Sequence, residues 1–146
     1  ARTLRDAAAT SKAKTDLAVW RMPAMLGIAE QMALGRLAMA RGDTGTAIMR
    51  FRSAIGMETG IRYSEPPLVP QPASLALGAA LLKQGNADAA RGAFMRALIE
   101  RPSSRWALTG LAAAQAAMGD EVGRRATLVA LADGADPAWK TNVGEL

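Results

Sequence analysis

The chain has 146 residues, of which half are apolar and only 4% aromatic, so one domain with a sizeable core is expected. Cys and His are absent, which excludes disulfides, thiol catalysis, zinc-finger sites and imidazole acid–base chemistry. The net charge of +5 comes without the interleaved aromatics of a nucleic-acid site. A solvated basic surface is therefore expected, with an acidic partner or an anionic membrane surface as the lesser alternative.

The first part of the chain predicts two helices separated by a proline. Residues 3–20 can form a helix with a diluted apolar stripe, and Pro23 then interrupts the pattern. Residues 24–41 indicate a long helix, because apolar residues return at helical spacing along one face. Gly42 is expected to end it.

A third helix is predicted over residues 46–57, with Asp43 or Thr44 as its N-terminal cap. The stretch 59–72 then breaks the rhythm. It holds four prolines within seven residues, which prevent a helix and favour extended backbone. A Pro-rich loop is therefore predicted between two helical regions.

Four further helices follow at short intervals. Their predicted ranges are 73–84, 87–100, 104–118 and 121–133. Glycines that can adopt the left-handed conformation should end the helices, and a polar residue after each should cap the next helix. These pairs are Gly42 with Asp43, Gly85 with Asn86, and Gly119 with Asp120. Such a run of helices predicts an all-α protein, which the abundance of Ala also favours.

A short pattern of small and aromatic residues repeats along the chain. Its first copy comprises Leu34, Gly35, Gly42, Ala47, Phe51 and Ala54, and 43 residues later the same residue types stand at Leu77, Gly78, Gly85, Ala90, Phe94 and Ala97. A divergent third copy follows 34 residues on, from Leu111 to Leu131. A period near 34 residues is typical of stacked helical repeats. Gly35 and Gly78 are predicted at helix crossings, where they face the small residues Ala47 and Ala90. Phe51 and Phe94 are predicted to fill the wedge that opens further along the pair.

These residues resemble the 34-residue frame, or consensus pattern, of the tetratricopeptide repeat (TPR) family. That pattern has Leu-Gly early, Ala in the middle, and then an aromatic residue, Ala and Pro. The resemblance implies a right-handed α-α superhelix of about three TPR helix pairs plus an N-terminal helix. The implied units are an N-terminal helix or cap over 1–27, a solenoid over 28–138 and a tail over 139–146. The solenoid comprises three repeats, 28–61, 71–104 and 105–138, and it includes the Pro-rich loop 59–72.

A narrower resemblance concerns the run from Tyr63 to Pro67, together with Pro102 and the run from Trp106 to Ala112. Both are similar to the C-terminal end of a group of bacterial repeat proteins. This implies a bacterial source and a C-terminal domain of a longer protein, with which the first residue, Ala1, agrees. The absence of Cys leaves both the cytoplasm and the periplasm open. No apolar run approaches the ~20 residues that span a bilayer.

In the TPR family the first helix of each pair lines a concave face. Carried onto this chain, the resemblance implies a partner-binding face of Met32, Arg36, Met39, Leu75, Leu82, Lys83, Trp106 and Thr109. Its apolar, Met-containing chemistry with two cations suits an amphipathic helix or an extended hydrophobic segment that carries an acidic residue. Trp106 has a second interpretation, which is packing on the turn at Pro102.

The resulting hypothesis is a non-catalytic scaffold that binds another protein or peptide, and a role as a subunit of a larger assembly is left open. The alternative is an accessory or regulatory domain of a larger enzyme or complex. No cofactor and no metal are expected, because the Met residues at 22, 25, 32 and 39 are better explained as core or groove filling than as copper ligands. No nucleophile–base pair or phosphate loop is evident.

Overall fold

A computed structural model of the chain describes residues 23–60 and 71–133. These residues form six helices and no strand, so the described part of the chain is all-α. The helices are α1 (residues 23–40), α2 (Thr44–Gly60), α3 (Ala73–Lys83), α4 (Ala87–Glu100), α5 (Arg105–Met118) and α6 (Glu121–Asp133). None of these helices is long and apolar enough to cross a membrane. The helix predicted over 3–20 and the tail over 139–146 lie outside the described residues.

The turns between helices use the residues that the sequence predicts for them. Gly42, Gly85 and Gly119 have positive φ angles of 78°, 87° and 75°, which a residue without Cβ adopts without strain. The side chain of the next residue then caps the following helix: Asp43 accepts from Thr46 N at 2.9 Å, Asn86 from Ala89 N at 3.2 Å, and Asp120 from Gly123 N at 2.9 Å. The expected caps are thus confirmed, with Asp43 rather than Thr44 at the start of α2.

The predicted helix boundaries lie within three residues of those in the structure, and two of the differences have a local cause. Helix α2 continues to Gly60 instead of ending at residue 57, because the prolines that stop a helix begin only at Pro66. The first two residues of the predicted loop 59–72 are therefore helical, and residues 61–70 lie outside the described part. Ser104 is the cap of α5 rather than its first residue, since its Oγ accepts from Ala107 N at 3.3 Å.

Each described helix packs against the next one along the chain. The short connections after α1, α3, α4 and α5 reverse the chain direction, and α2 packs against α3 with Glu58 near its end beside Ala73 at the start of α3. Helices α1, α3 and α5 therefore run one way and α2, α4 and α6 the other. In the α1–α2 pair, Arg50 donates to Gln31 at 3.3 Å, and Phe51 lies against Gly35. Helix α3 also contacts α5 directly. The core between the helices contains many alanines, among them Ala47, Ala54, Ala90 and Ala97, which are all fully buried.

The ring of Phe94 fixes the spacing of three helices. A Cβ atom added at Gly78 on α3 would lie 2.7–2.8 Å from this ring, and one added at Gly110 on α5 would also overlap it. The equivalent ring of Phe51 occupies the same place against Gly35. The predicted close crossings at Gly35 and Gly78 are confirmed, but the residues that face these glycines are the phenylalanine rings, which were expected further along the pair. Gly110 was not predicted to take part, and it lets the ring touch both helices at once.

The last helix pair is held by a polar contact. Thr127 is the buried residue of α6, and its Oγ1 donates to the buried Gln115 of α5 at 2.8 Å. Leu128 stands at the repeat position of the two phenylalanines and is 39% exposed, whereas Phe51 and Phe94 are 1% and 3% exposed. Arg124 turns outward and pairs with Glu121 at 2.9 Å. The aromatic crossing of the first two pairs therefore has no counterpart in the third.

We predict that Gly78→Ala destabilises the protein by about 1–3 kcal/mol, because the new methyl group overlaps the confined Phe94 ring. The matched control is Gly92→Ala on α4, where a Cβ would meet no atom within 4 Å. The control should stabilise the helix by about 0.5–1 kcal/mol. Urea unfolding followed by circular dichroism at 222 nm measures both changes. Equal effects of the two substitutions would contradict the close approach at Gly78.

Candidate functional site

A groove of about 700 Å³ lies along α3, between α1 on one side and α5 on the other. Its position follows from the packing order, because the three helices that run in the same direction lie side by side and contribute their outward faces. The residues that line it are Met32, Arg36, Gln71, Pro72, Leu75, Ala76, Ala79, Leu82, Lys83, Phe94, Trp106, Thr109 and Gly110. The volume falls within the range of about 300–1,000 Å³ that is usual for ligand-binding clefts.

Seven of the eight residues predicted for a partner-binding face line this one groove. They are Met32, Arg36, Leu75, Leu82, Lys83, Trp106 and Thr109. Met39 is the eighth and does not line it, since its side chain is partly buried against the hydrophobic core. The structure thus brings together side chains that lie up to 77 positions apart in sequence. That these residues bind a partner stays a prediction.

Several lining residues were not among the predicted site residues. Phe94 reaches the groove from α4, which is the second helix of its pair. It does so because Gly78 and Gly110 leave space for the ring. Ala76 and Gly110 lie one helical turn beyond Pro72 and Trp106, so the i, i+4 rule was the signal that could have found them.

The groove has a buried floor and an exposed rim. Met32 and Phe94 are buried and form part of the floor, and Leu75 is half-buried. Trp106 is 72% exposed, although it lines the groove. The turn at Pro102 therefore does not cover the indole ring, which was one of the two interpretations of this residue. A large apolar side chain is left available for contact with another molecule.

The charge in the groove is of one sign. Arg36 and Lys83 are the charged side chains among the described lining residues, and neither makes an ion pair with a described residue. Gln71 and Thr109 add hydrogen-bonding groups. The described residues contain no group of three or more Asp and Glu side chains that could hold a metal ion. The arrangement favours non-covalent binding of an apolar segment with a negative charge.

The start of helix α3, the central wall of the groove, is hydrogen-bonded to a side chain from α2. The carboxylate of Glu58 accepts from Ala73 N at 3.1 Å through Oε1 and at 3.4 Å through Oε2. The contact satisfies a backbone N–H group that the helix itself leaves unpaired. It also joins the two ends of the connection between α2 and α3. The first turn of α3, with Leu75 in the groove, is therefore positioned by Glu58.

The environment of Glu58 opposes its charge. Burial raises the pKa of this carboxyl above its ordinary value, and the hydrogen bond from Ala73 N only partly offsets the burial. The neighbouring Glu100 raises the pKa further, while Arg96 lowers it. Arg96 also pairs with Glu100, with Nε 3.2 Å from Oε1. The contribution of Glu58 to folding stability therefore depends on pH.

A comparison of the chain with protein-family models gives no match, and a comparison with curated proteins gives none either.

We predict that the contribution of Glu58 to the free energy of unfolding falls as the pH rises from about 4 through its raised pKa, since the folded state binds this proton more tightly than the unfolded state. Glu58→Gln cannot titrate and keeps an oxygen acceptor, so it should gain stability relative to the wild type over this range. Urea unfolding at pH 4 and pH 7 measures the difference.

The comparison variant is Glu58→Ala, which removes the acceptor for Ala73 N at every pH. It should lose about 1 kcal/mol relative to Glu58→Gln at both pH values, as expected for a lost helix cap. If the wild type and Glu58→Gln show the same change in stability between pH 4 and pH 7, Glu58 does not carry the pH dependence.

Proposed function

We propose that this chain is a non-catalytic scaffold of the TPR type, which binds a peptide, a helix or a subunit of another protein in the groove along α3. The observation that carries the proposal is the meeting of seven predicted side chains in one groove of about 700 Å³. A face that is continuous over three helices suits an extended partner better than a small substrate.

The TPR arrangement is supported by the repeated crossing of helix pairs. Phe51 lies against Gly35 in the first pair, and Phe94 lies against Gly78 in the second, at the same place in each repeat. The direct contact between α3 and α5 agrees with successive pairs that stack side by side. A right-handed superhelix built from such pairs would present α1, α3 and α5 on its concave face.

The chemistry of the lining favours binding over catalysis. General acid–base or nucleophilic catalysis needs an activated group within hydrogen-bonding reach of a partner. The polar side chains of the groove are Arg36, Gln71, Lys83 and Thr109. Lys83 is the one that could act as a base, and it makes no hydrogen bond to the Thr109 hydroxyl. Most of the remaining surface is aliphatic or aromatic, and contact with it stabilises a complex by removing apolar area from water.

The test is a selection of peptides from a random phage-displayed library on the immobilised wild-type protein, followed by affinity measurements on variants. Trp106→Ala removes the exposed ring of the rim, and Ala79→Glu places a carboxylate in the centre of the groove. We predict that each weakens binding of the selected peptides by about tenfold or more, which corresponds to about 1.4 kcal/mol.

Matched controls lie outside the groove. Ile99→Ala removes an apolar side chain that is 82% exposed on α4, and Ala126→Glu places a carboxylate on the exposed surface of α6. Both should leave affinity within about twofold of the wild type, because neither touches the lining. Peptides that bind all four variants as well as the wild type would show that the groove is not the binding surface.

A further inference from the structure

Helix α1 has an exposed apolar stripe on the side away from the core, which we call its outer face. The stripe consists of Leu26, Ala29, Ala33, Leu37 and Ala40, which follow one another at steps of three and four residues. Its two leucines are 64% and 44% exposed. The residues that α1 buries, such as Ile28 and Gly35, lie on the opposite side of the helix.

The equivalent positions of the later repeats are buried. Leu37 corresponds to Ala80 on α3 and to Ala114 on α5, and both alanines are 0% exposed. Helices α3 and α5 differ from α1 because each has a preceding helix packed against it, α2 in the one case and α4 in the other. No helix of the described part precedes α1. The outer face of α1 is therefore the surface that a preceding helix would cover.

The chain before α1 has the length and the pattern of such a helix. The sequence predicts a helix over residues 3–20, which matches α1 in having 18 residues, or about 27 Å. Apolar and small residues recur in this segment at steps of three and four, at Leu4, Ala8, Ser11, Thr15 and Ala18. Buried alanines likewise form much of the inner faces of α2 and α4. The segment can therefore approach α1 as closely as those helices approach their neighbours.

The connection sets the direction and the register of this packing. Only Arg21 and Met22 separate residue 20 from Pro23, the first residue of α1. A proline disfavours helical backbone in the residue before it, and connections of two to five residues join antiparallel helices. When the chain turns here, residues lie level with each other where their numbers add to about 43. Ser11 is thus nearly level with Ala33.

Charge supports the same register. Glu30 is exposed at the edge of the outer face and makes no ion pair with a described residue. Its equivalents in the later repeats, Ala73 and Ala107, are 0% exposed, so a preceding helix would cover Glu30 as well. In the antiparallel register, Lys12 and Lys14 lie level with Glu30. They supply the opposite charge that a carboxylate needs when it is taken out of water.

We infer that residues 3–20 form a helix that packs antiparallel on the outer face of α1, with Ser11 beside Ala33 and Glu30 next to the two lysines. This contact leaves the groove open, because no residue of the outer face lines it. It also supports α1, which forms one wall of the groove, from the other side. The contact does not depend on what the groove binds.

Disulfide formation between introduced cysteines tests the contact, because the natural chain has no Cys. The test pair is Ser11→Cys with Ala33→Cys. The control pair is Ala13→Cys with Ala33→Cys, since positions 11 and 13 lie on opposite sides of a helix. Both full-length proteins are held at low micromolar concentration in a glutathione redox buffer, and mass spectrometry measures the intramolecular disulfide. We expect roughly tenfold more of it in the test pair.

A second readout tests the register through Glu30. Glu30→Lys, added to the test pair, should lower the fraction of intramolecular disulfide by about threefold, because three cations then meet. Lys12→Glu together with Lys14→Glu should restore the fraction in this background. The control is Asp133→Lys, the same kind of charge change at an exposed position of α6, and it should have no effect. Circular dichroism at 222 nm checks that every variant keeps its helices.

Three results would overturn the inference. Equal disulfide formation in the test and control pairs would show that the segment has no fixed register on α1. Absence of disulfide in both pairs would leave the outer face to another protein. Disulfides between two chains, which increase with protein concentration, would assign the outer face to a second copy. None of these results bears on the proposed function, because the outer face does not line the groove.

Discussion

The close contact between a phenylalanine ring and glycine backbones determines how these helices can lie. Phe94 touches α3 at Gly78 and α5 at Gly110, so one side chain from α4 sets the positions of two neighbouring helices. A side chain at either glycine would push the helices apart, because a close-packed interior has no spare volume to absorb a methyl group. The same ring lines the groove, and the width of the groove therefore depends on this contact.

Helix α3 is the element on which the groove depends, and it is constrained at both ends. The turn that follows α3 contains Gly85, whose φ angle is 87°. At the start of α3, Ala73 N donates a hydrogen bond to the carboxylate of Glu58, which is partly buried in surroundings that disfavour its charge. The contact is thus a compromise, because it satisfies a backbone donor at the expense of desolvating an anion. The contribution of this contact to stability therefore falls as the pH rises through the raised pKa of Glu58.

Sequence reasoning succeeded where the determinants are local. Helix turns such as Gly85-Asn86 are encoded within a few residues, and the repeat spacing correctly placed Gly78 at a close helix crossing. It failed where the structure depends on contacts between residues that are far apart in the sequence. Gly110 carries no local signal for its contact with a ring sixteen positions earlier. The hydrogen bond between Glu58 and the start of α3 likewise joins residues 15 positions apart, which spacing alone does not reveal.

The same limit applies to the candidate site. Met39 and Leu82 occupy equivalent positions in their repeats, yet only Leu82 lines the groove, while Met39 packs against the core. Equivalent positions in the sequence repeats therefore do not all line the groove. Helix α3 has a neighbouring helix on each side, whereas α1 is the first helix of the described part of the chain. The frame identifies the face of each helix, and the packing decides how much of that face remains open.

The contributions to binding follow from which lining residues folding has already buried. Met32 and Phe94 have lost their contact with water on folding, so a ligand gains little hydrophobic free energy from them, and they provide shape. Trp106 is 72% exposed, and covering it offers the largest single apolar gain in the groove. Arg36 and Lys83 are likewise solvated and contribute mainly orientation and choice of partner. Affinity thus comes mainly from the exposed indole ring of Trp106, and the choice of partner from the two cations.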